Sequence, residues 1–574
     1  FNTGIVEHAY IEPEAGFAEV RDGRLEIHAC TQAPVMDLES LELILAMDRS
    51  NIRIVPTAVG GGFGSKLDLS VQPFLALAAL KTQKPVRLCY TREESLQSST
   101  KRHPSDINLT IGADNSGKIK GFLFEGVFDT GAYASWGPTV ANRVPVHASG
   151  PYVVTDYTAS TKGVYTNNPP SGAFRGFGVP QTAISQESLF DELAEILNID
   201  PLEFRIKNAL DNHKATVCGQ VFEKGVGIKA CLEALQPAWR SERKKAGKLN
   251  SEGGAIKYGV GLAAGWYGCG NTSLPNPSTI KSGLLPDGRI RLHQGAVDIG
   301  QGANTVISQI FATVLGLPVE QVERVDADTD VTPDAGKTSA SRQTFVSGNA
   351  SRLSAQHLRR QITERMNVAF ESELSFQGAQ VIAVDGGQTH TLALQTLPQD
   401  DEGFVFRAEG TYDPPTKPLD EKGQGNPYAQ FGYAAHLAVV SVDTKLGVVK
   451  PTKFVTAHDV GKAINPMLVE GQVHGGVAQG MGMALMEEYI AGRTENLHDY
   501  LIPTIGDVPE IVTHIIEEKD AHGPFGAKGL GEHVLIPTAP AILNAIKDAV
   551  GVRLYTIPAT PSRVLAAIKN RAEG

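Results

Sequence analysis

The chain has 574 residues, of which 60 are Gly, 33 Pro and only 5 Cys, and its 52 basic against 63 acidic side chains leave a formal charge of −11. At roughly 100 to 200 residues per domain, this length implies several domains with large cores. A composition 41% apolar and 20% charged, with no stretch near the roughly 18 unbroken apolar residues of a spanning helix, excludes a collagen, a disordered tail and a helical membrane channel.

The acidic balance argues against nucleic acid as a partner, because phosphate affinity needs a basic face, and the one basic cluster, Arg240 to Lys248, reads as solvated. The cysteines Cys30, Cys89, Cys218, Cys231 and Cys269 never form a CxxC pair and are too sparse for a disulfide scaffold. They fit a reducing, cytoplasmic setting. The first residue is Phe1, and 1–10 lacks the basic start and apolar centre of a signal peptide, so a mature or truncated piece is expected.

In chain order, four segments read as hairpins around turn residues: 17–29 about Asp22-Gly23, 107–128 about 114–117, 281–293 about Asp287-Gly288, and 435–455 about 443–447. Their recurrence implies one β unit used several times. Between them lie helical patterns. Leu189, Leu193, Ile196 and Leu197 share one face, as do Ile542, Ile546, Ala549 and Val550, with Thr538 placed to cap. The expected class is α+β, mixed α and β. The stretch 239–254 is rich in Lys, Arg, Glu, Ser and Gly without apolar periodicity and reads as a linker, which divides the chain into halves at 1–238 and 255–574.

Five glycine-rich segments stand apart, at 60–66, 172–178, 298–302, 471–480 and 523–532. None is a P-loop or a dinucleotide fingerprint: Ser65 stands where GxxxxGK[ST] requires Gly, and GxGxxG fails in all five. HExxH and GxSxG are absent too, which lowers zinc peptidase and hydrolase readings. Each segment instead pairs Gly with a strong polar or aromatic group: Phe63 and Lys66, Arg175 and Phe177, Gln301, Gln472 and Gln479, Glu532. Exposed backbone amides cradle anions and carboxamides fix orientation, so the set suits a large, polar, phosphate-bearing cofactor. Five unrelated tight turns is the bland alternative. Glu532, just before an expected helix, reads either as a dipole partner or as a general base.

In this order the segments resemble the molybdenum-binding portion of the molybdenum hydroxylases, the xanthine dehydrogenase and aldehyde oxidoreductase family. The likeness runs through Glu7-His8 and Glu12, GGGFGSK at 60–66, AFRGFGVPQ at 173–181, DIGQG at 298–302, TPDAGKTSASRQT at 332–344, DVGKAINP and GQVHGGVAQGMG within 459–482, and GAKGLGE at 526–532. It implies a fold of two large halves that bind molybdopterin. The metal would be held by the pterin dithiolene, with no side-chain ligand. Gly62, Phe63 and Arg175 would lie beside the metal, with the Phe63 and Arg175 backbone amides near its oxygens. Ile299, Gly300, Gln301, Ser339, Ala340, Ser341 and Gln472 would contact the pterin and its phosphate, and Glu532 matches the family's catalytic carboxylate.

The implied activity is hydroxylation of an aldehyde with water as oxygen source, a nitrogen heterocycle being the alternative substrate. Leu67, Trp136, Arg143 and Phe177 would line the substrate pocket. Leu67 stands where xanthine-oxidising relatives carry a glutamate, which argues against xanthine, while Arg143 suits either class. Val6 replaces a Gln found before the early His in some members. The electrons would pass to 2Fe-2S and FAD centres on partner domains or subunits, because five scattered cysteines cannot supply two Cys₄ clusters. Molybdenum and molybdopterin, in some bacterial relatives the cytosine dinucleotide form, are the implied cofactors. A small-molecule substrate, an oligomer and no membrane complete the expectation, against a metal-free scaffold subunit as the rival from another class.

Overall fold

The structure, a computed structural model, describes residues 1–573. Four of its five sheets repeat one topology. In each, a hairpin is followed by a helix and by a crossover strand that pairs parallel with the second hairpin strand, while a further strand pairs antiparallel with the first. A parallel crossover needs a connection long enough for a helix, and each unit supplies one.

The first unit has the Ala15–Arg21 and Arg24–Ala29 hairpin, the Pro34–Leu45 helix, the crossover strand Ile52–Pro56 and the edge strand Val86–Cys89. The second has Ser105–Ala113 with Ile119–Gly131, the Gly137–His147 helix, the crossover Asp156–Tyr165 and Asn2–Thr3 at the other side. The third has Ser278–Leu284 with Ile290–Gln294, the Ala303–Leu315 helix, the crossover Val322–Asp326 and Phe406–Tyr412. The fourth has Phe431–Asp443 with Val449–Asp459, the Pro466–Leu485 helix, the crossover Glu510–Ile516 and Ile256–Gly268. These are the four hairpins expected from the turn residues, and the repeated unit they implied is present. A small meander, 373–393, forms the fifth sheet.

After each crossover strand the chain makes a loop and enters a second helix: Gln72–Thr82, Val179–Ile196, Gly348–Met366 and Thr538–Val550. Packing here is close enough to require glycine. A Cβ at Gly261 would lie 2.1 Å from the Ala545 backbone nitrogen, so the Thr538–Val550 helix sits directly on the Ile256–Gly268 strand. One core cluster runs from Ile107 and Phe128 through Trp239 to Trp266, Phe431 and Ala457, joining the second unit to the fourth.

Three expectations meet structural detail that the sequence did not show. Residues 236–251, within and just before the stretch expected as a linker, form a helix, in which Trp239, Glu242 and Ala246 bury one stripe beneath the basic residues, and 252–255 are irregular. The Val179–Ile196 helix buries the expected leucine face only in part: Leu193 and Leu197 pack against the core half-buried, Ile196 is 78% exposed, and the fully buried stretch is Gln181 to Ser188. Thr182, Ser185 and Gln186 bond within the helix, while Glu187 is met from outside by Arg205 Nε at 2.7 Å and the Tyr152 hydroxyl at 2.8 Å. Thr538 is the first residue of its helix and not its cap, its hydroxyl lying 3.0 Å from His436 Nδ1.

Candidate active site

The four loops that follow the crossover strands converge on one cavity of about 400 Å³. Phe63 and Gly64 come from the first, 173–177 from the second, Thr338, Ser339 and Ser341 from the third, and 530–532 from the fourth. The third unit adds Ile299, Gly300 and Gln301 from its strand-to-helix turn, and the Pro466–Leu485 helix adds Gln472, Gly475 and Gln479. Segments hundreds of residues apart thus meet because each occupies the same place in its own unit.

The early segment braces this wall. His8 Nε2 donates to the Ala173 carbonyl at 2.7 Å and its ring stacks on Phe174 at 4.0 Å. Glu12 accepts from the Gly60 amide at 2.8 Å and from Lys66 Nζ at 2.7 Å, which pins both ends of the 60–66 loop. Val6 is buried but lies outside the lining of the main cavity, in a smaller cavity behind Phe63 and Phe174.

Arg175 organises the opposite side. Its guanidinium donates to Gln479 Oε1 and to Gln472 Oε1, each at 3.0 Å, and its Nε to the Gly531 carbonyl. Gln472 and Gln479 are seven residues apart on one helix and so share a face; with their oxygens held by Arg175, their NH₂ groups remain free to donate. Burial pushes the Arg175 guanidinium down to about 10, with Glu532 opposing, so it stays charged at neutral pH. Its backbone amide, expected beside the metal oxygens, donates instead to the Phe63 carbonyl at 2.8 Å. The Phe63 amide has no acceptor among the described residues, and Phe63 holds a left-handed φ of 54°. The chain binds its two loops together with one amide and leaves the other available.

Glu532 is 9% exposed and lines the cavity. Its Oε2 accepts from the Gly176 amide at 2.6 Å, and its own amide donates to Ser341 Oγ at 3.0 Å. Ala340 and Ser341 have successive positive φ values of 53° and 54°, and their amides likewise lack acceptors among the described residues. Gln301 lines the cavity but folds back on its own loop, its Oε1 accepting from Ile299 N at 2.6 Å and its Nε2 donating to Val297 O at 3.2 Å. It shapes the turn.

Beyond Phe177, Leu67 and Ser339, which line both spaces, lies a second chamber of about 370 Å³. Trp136 and Phe177 meet edge to face there at 6.2 Å, and Arg143 and Lys337 lie on its wall. All four residues expected at the substrate pocket, Leu67, Trp136, Arg143 and Phe177, therefore come together. Arg143 sits 4.6 Å from the Tyr267 ring, and Leu67 is buried and apolar, offering no carboxylate.

Sequence reasoning passed over Gln32, Asp298, Thr338 and Gln343. Gln32 Oε1 accepts from Gly64 N at 3.0 Å while its Nε2 donates to Thr338 O at 2.7 Å, tying the first loop to the third. Asp298 closes its own turn by accepting from Gly300 N and Asn304 N. The DIGQG motif carried a signal for Asp298, whereas Gln32 stands in no motif at all.

The cavity fits a planar cofactor built against backbone. A Cβ at Gly300 would meet no atom within 4 Å, at Gly475 only Arg175 at 4.0 Å, and at Gly531 nothing nearer than 3.7 Å, so each glycine holds open space that any side chain would occupy. Free amides at Phe63, Ala340 and Ser341 and the carboxamides of Gln472 and Gln479 supply donors without a protein partner.

Two family models, each described as a molybdopterin cofactor-binding domain, match residues 1–209 and 233–509. The chain is 33% identical to a xanthine dehydrogenase molybdenum-binding subunit of Escherichia coli O157:H7, over 98% of this chain and 76% of that protein. It is 44% identical to the nicotinate dehydrogenase large molybdopterin subunit of Eubacterium barkeri over 234 residues, 41% of this chain and 55% of that one. Aldehyde oxidoreductase from Desulfovibrio gigas superposes with a TM-score of 0.90 at 29% identity, covering 99% of this chain and 60% of that one. The chain belongs to the molybdenum hydroxylase family, which contains xanthine dehydrogenase and aldehyde oxidoreductase. Its cofactor is molybdenum with molybdopterin.

Proposed function

We propose that this chain is the catalytic molybdenum portion of a hydroxylase that oxidises an aldehyde or a nitrogen heterocycle, taking its oxygen from water. In net terms R–H and H₂O become R–OH, two protons and two electrons. The observation that carries this reading is the buried Glu532 carboxylate, fixed on the Gly176 amide at 2.6 Å at the wall of a cavity that also holds the unpaired Phe63 amide.

The bound pterin and its metal supply the two-electron acceptor. Everything else falls to the chain. Glu532 is fixed through Oε2 by the Gly176 amide, with the Tyr267 hydroxyl beside the carboxylate, and serves to accept a proton from the attacking water-derived oxygen. The Phe63 amide donates to oxygen that gains negative charge, and loss of such a donor typically costs ~3 to 4 kcal/mol of transition-state stabilisation. Gln472 and Gln479, oriented by Arg175, hold the cofactor's polar edge, and the Ala340 and Ser341 amides suit its phosphate. Phe177 and Trp136 orient the substrate and exclude water. Their aromatic faces favour a planar ring, which supports the heterocycle reading beside the aldehyde one.

Electrons leave through 2Fe-2S and FAD centres on partner domains or subunits, a reading supported by the absence of any eight-cysteine set in the chain. The halves at 1–238 and 255–574, the cytosine dinucleotide form of the pterin, an oligomeric assembly and a cytoplasmic setting belong to the same proposal. No helix among the described residues is long and apolar enough to cross a membrane.

The test is metal and pterin analysis of the purified protein, followed by turnover with a dye acceptor in ¹⁸O-labelled water. Stoichiometric molybdenum and label in the product are expected. A protein without molybdenum or pterin would instead be the metal-free scaffold.

A further inference from the structure

Among the described residues two groups reach the Glu532 carboxylate directly. One is the Gly176 amide, on Oε2 at 2.6 Å. The other is the Tyr267 hydroxyl, which lies beside the carboxylate, stops short of a formed hydrogen bond and has no other partner. Three guanidiniums, those of Arg143, Arg175 and Arg102, act on the same carboxylate through space. Their hydrogen bonds go elsewhere: Arg143 donates to the Gly268 and Gly270 carbonyls, Arg102 to the Arg175 carbonyl, and Arg175 to Gln472, Gln479 and Gly531. They bring charge to the base but do not direct it. His533, the next residue, is fully buried, and burial pushes its imidazole well below the ordinary range, so it adds no charge.

The core sets where Tyr267 stands. It is 1% exposed, near the end of the Ile256–Gly268 strand and opposite Gly432. Its ring packs with Val179, Ala183 and Ile536, so its neighbours are the Val179–Ile196 helix and the segment directly after Glu532. Arg143 lies over the ring at 4.6 Å while gripping the carbonyl of the next residue, Gly268, at 3.2 Å. A ring so enclosed leaves rotation of the hydroxyl as its main freedom. Tyr267 lines the chamber beyond Phe177 and Glu532 lines the cofactor cavity, so the two meet across the wall between those spaces. Burial, and the Glu532 charge after it, push the phenol well above its ordinary range against the opposing Arg143, so it keeps its proton and acts as a donor.

We infer that Tyr267 is a positioning residue for the base: its hydroxyl closes on the ionised Glu532 carboxylate as a second donor beside Gly176, and so sets the carboxylate's direction and the pH below which the base is lost. Hydrogen bonds of this kind commonly tighten only once the site is filled. A donor to the charged form favours that form, and a buried phenol that keeps its proton loses its acceptor only partly when the carboxylate takes up one of its own. The inference rests on reading Glu532 as the base of a hydroxylase; the contact between the two side chains does not.

The experiment uses the full cofactor-loaded protein at matched molybdenum content in three forms: unmodified, Tyr267→Phe, and with a ring-difluorinated tyrosine in place of Tyr267, whose more acidic phenol is the stronger donor. The kcat/KM for benzaldehyde and for pyridine-3-carboxylate is followed against pH with a dye acceptor. In parallel, without substrate, protonation of Glu532 is titrated by infrared difference spectroscopy, its carboxyl band being the one missing from Glu532→Gln. Tyr267→Phe should move the acid limb of kcat/KM, and the infrared titration with it, up by about one pH unit, the weight of one hydrogen bond to a charged group. Above that limb its activity should stay within a few-fold of the unmodified protein. The fluorinated ring should move both in the other direction, and it carries the test if Tyr267→Phe fails to load the cofactor. A loss uniform across pH, or a limb and an infrared titration that stay where they were, overturns the inference while leaving the hydroxylase intact. If the loaded protein turns over neither probe, the hydroxylase reading is what fails, and the infrared titration still decides this one.

Discussion

The Gly176 amide donates to Glu532 Oε2 at 2.6 Å, joining the loop after the second unit's crossover strand to the loop after the fourth's. The carboxylate therefore does not depend on its own loop for its position. It is set by a residue 356 positions away, whose neighbour Arg175 in turn grips the Gly531 carbonyl.

Arg175 holds four acceptors with one planar fork, which a lysine ammonium on a flexible stem does not reproduce. Arg175→Lys is expected to keep the fold and its charge but release the Gln472 and Gln479 carboxamides. Molybdenum content and turnover should both fall, with activity down about a hundredfold, as expected when buried charge-assisted hydrogen bonds worth ~3 kcal/mol are lost. Metal analysis beside a kinetic assay checks this, and unchanged occupancy would show that those carboxamides do not hold the cofactor.

Gly475 faces the cavity with no protein atom nearer than 4.0 Å to a built Cβ. Gly475→Leu should leave the melting temperature equal or slightly higher, because Leu is a better helix former by roughly 0.8 kcal/mol. Its side chain nevertheless fills the space assigned to the cofactor. The expected result is a folded, molybdenum-poor protein, read from a thermal melt together with metal analysis.

Acid should destabilise the fold. Burial pulls the imidazoles of His8, His103, His147 and His458 down to about 3 each. Below pH ~6.5 the unfolded chain takes up protons that the folded one refuses, so the stability these groups contribute is present above that pH and lost on the way to 3. Asp37, Asp68 and Glu487, pushed up by burial to about 7, about 6 and about 8, and Asp459 and Asp548, also raised by burial, act in the opposite sense as pH rises from their unfolded values near 4. His293, His436 and His533 are lowered by burial as well, so the imidazoles outnumber these carboxyls; the melting temperature should drop between pH 7 and pH 5, and a flat or rising profile contradicts the burial of these rings as neutral species.

Much of this architecture was legible because short-range chemistry wrote it. Asp22-Gly23 and Asp287-Gly288 marked hairpins that recur as the centres of equivalent units, and the glycine segments marked the loops between crossover strands and helices. What the sequence hid was pairing across distance. Nothing near Gln32 announces that it joins Gly64 to Thr338, and nothing near Glu187 announces that Arg205, contributed by the following helix, lets its carboxylate be buried. The Arg175 amide looked available for the cofactor because its acceptor, the Phe63 carbonyl, lies more than a hundred residues upstream. The 236–251 helix was missed because its buried stripe is only Trp239, Glu242 and Ala246 amid charged residues.

The central claim is that Glu532 is the base of a water-dependent hydroxylation. Glu532→Gln keeps an oxygen to accept the Gly176 amide but cannot take up a proton at neutral pH. Measured on protein of matched molybdenum and pterin content, its turnover should fall by about two to four orders of magnitude, the usual contribution of a general base. Turnover within a few-fold of the unmodified protein would contradict the account.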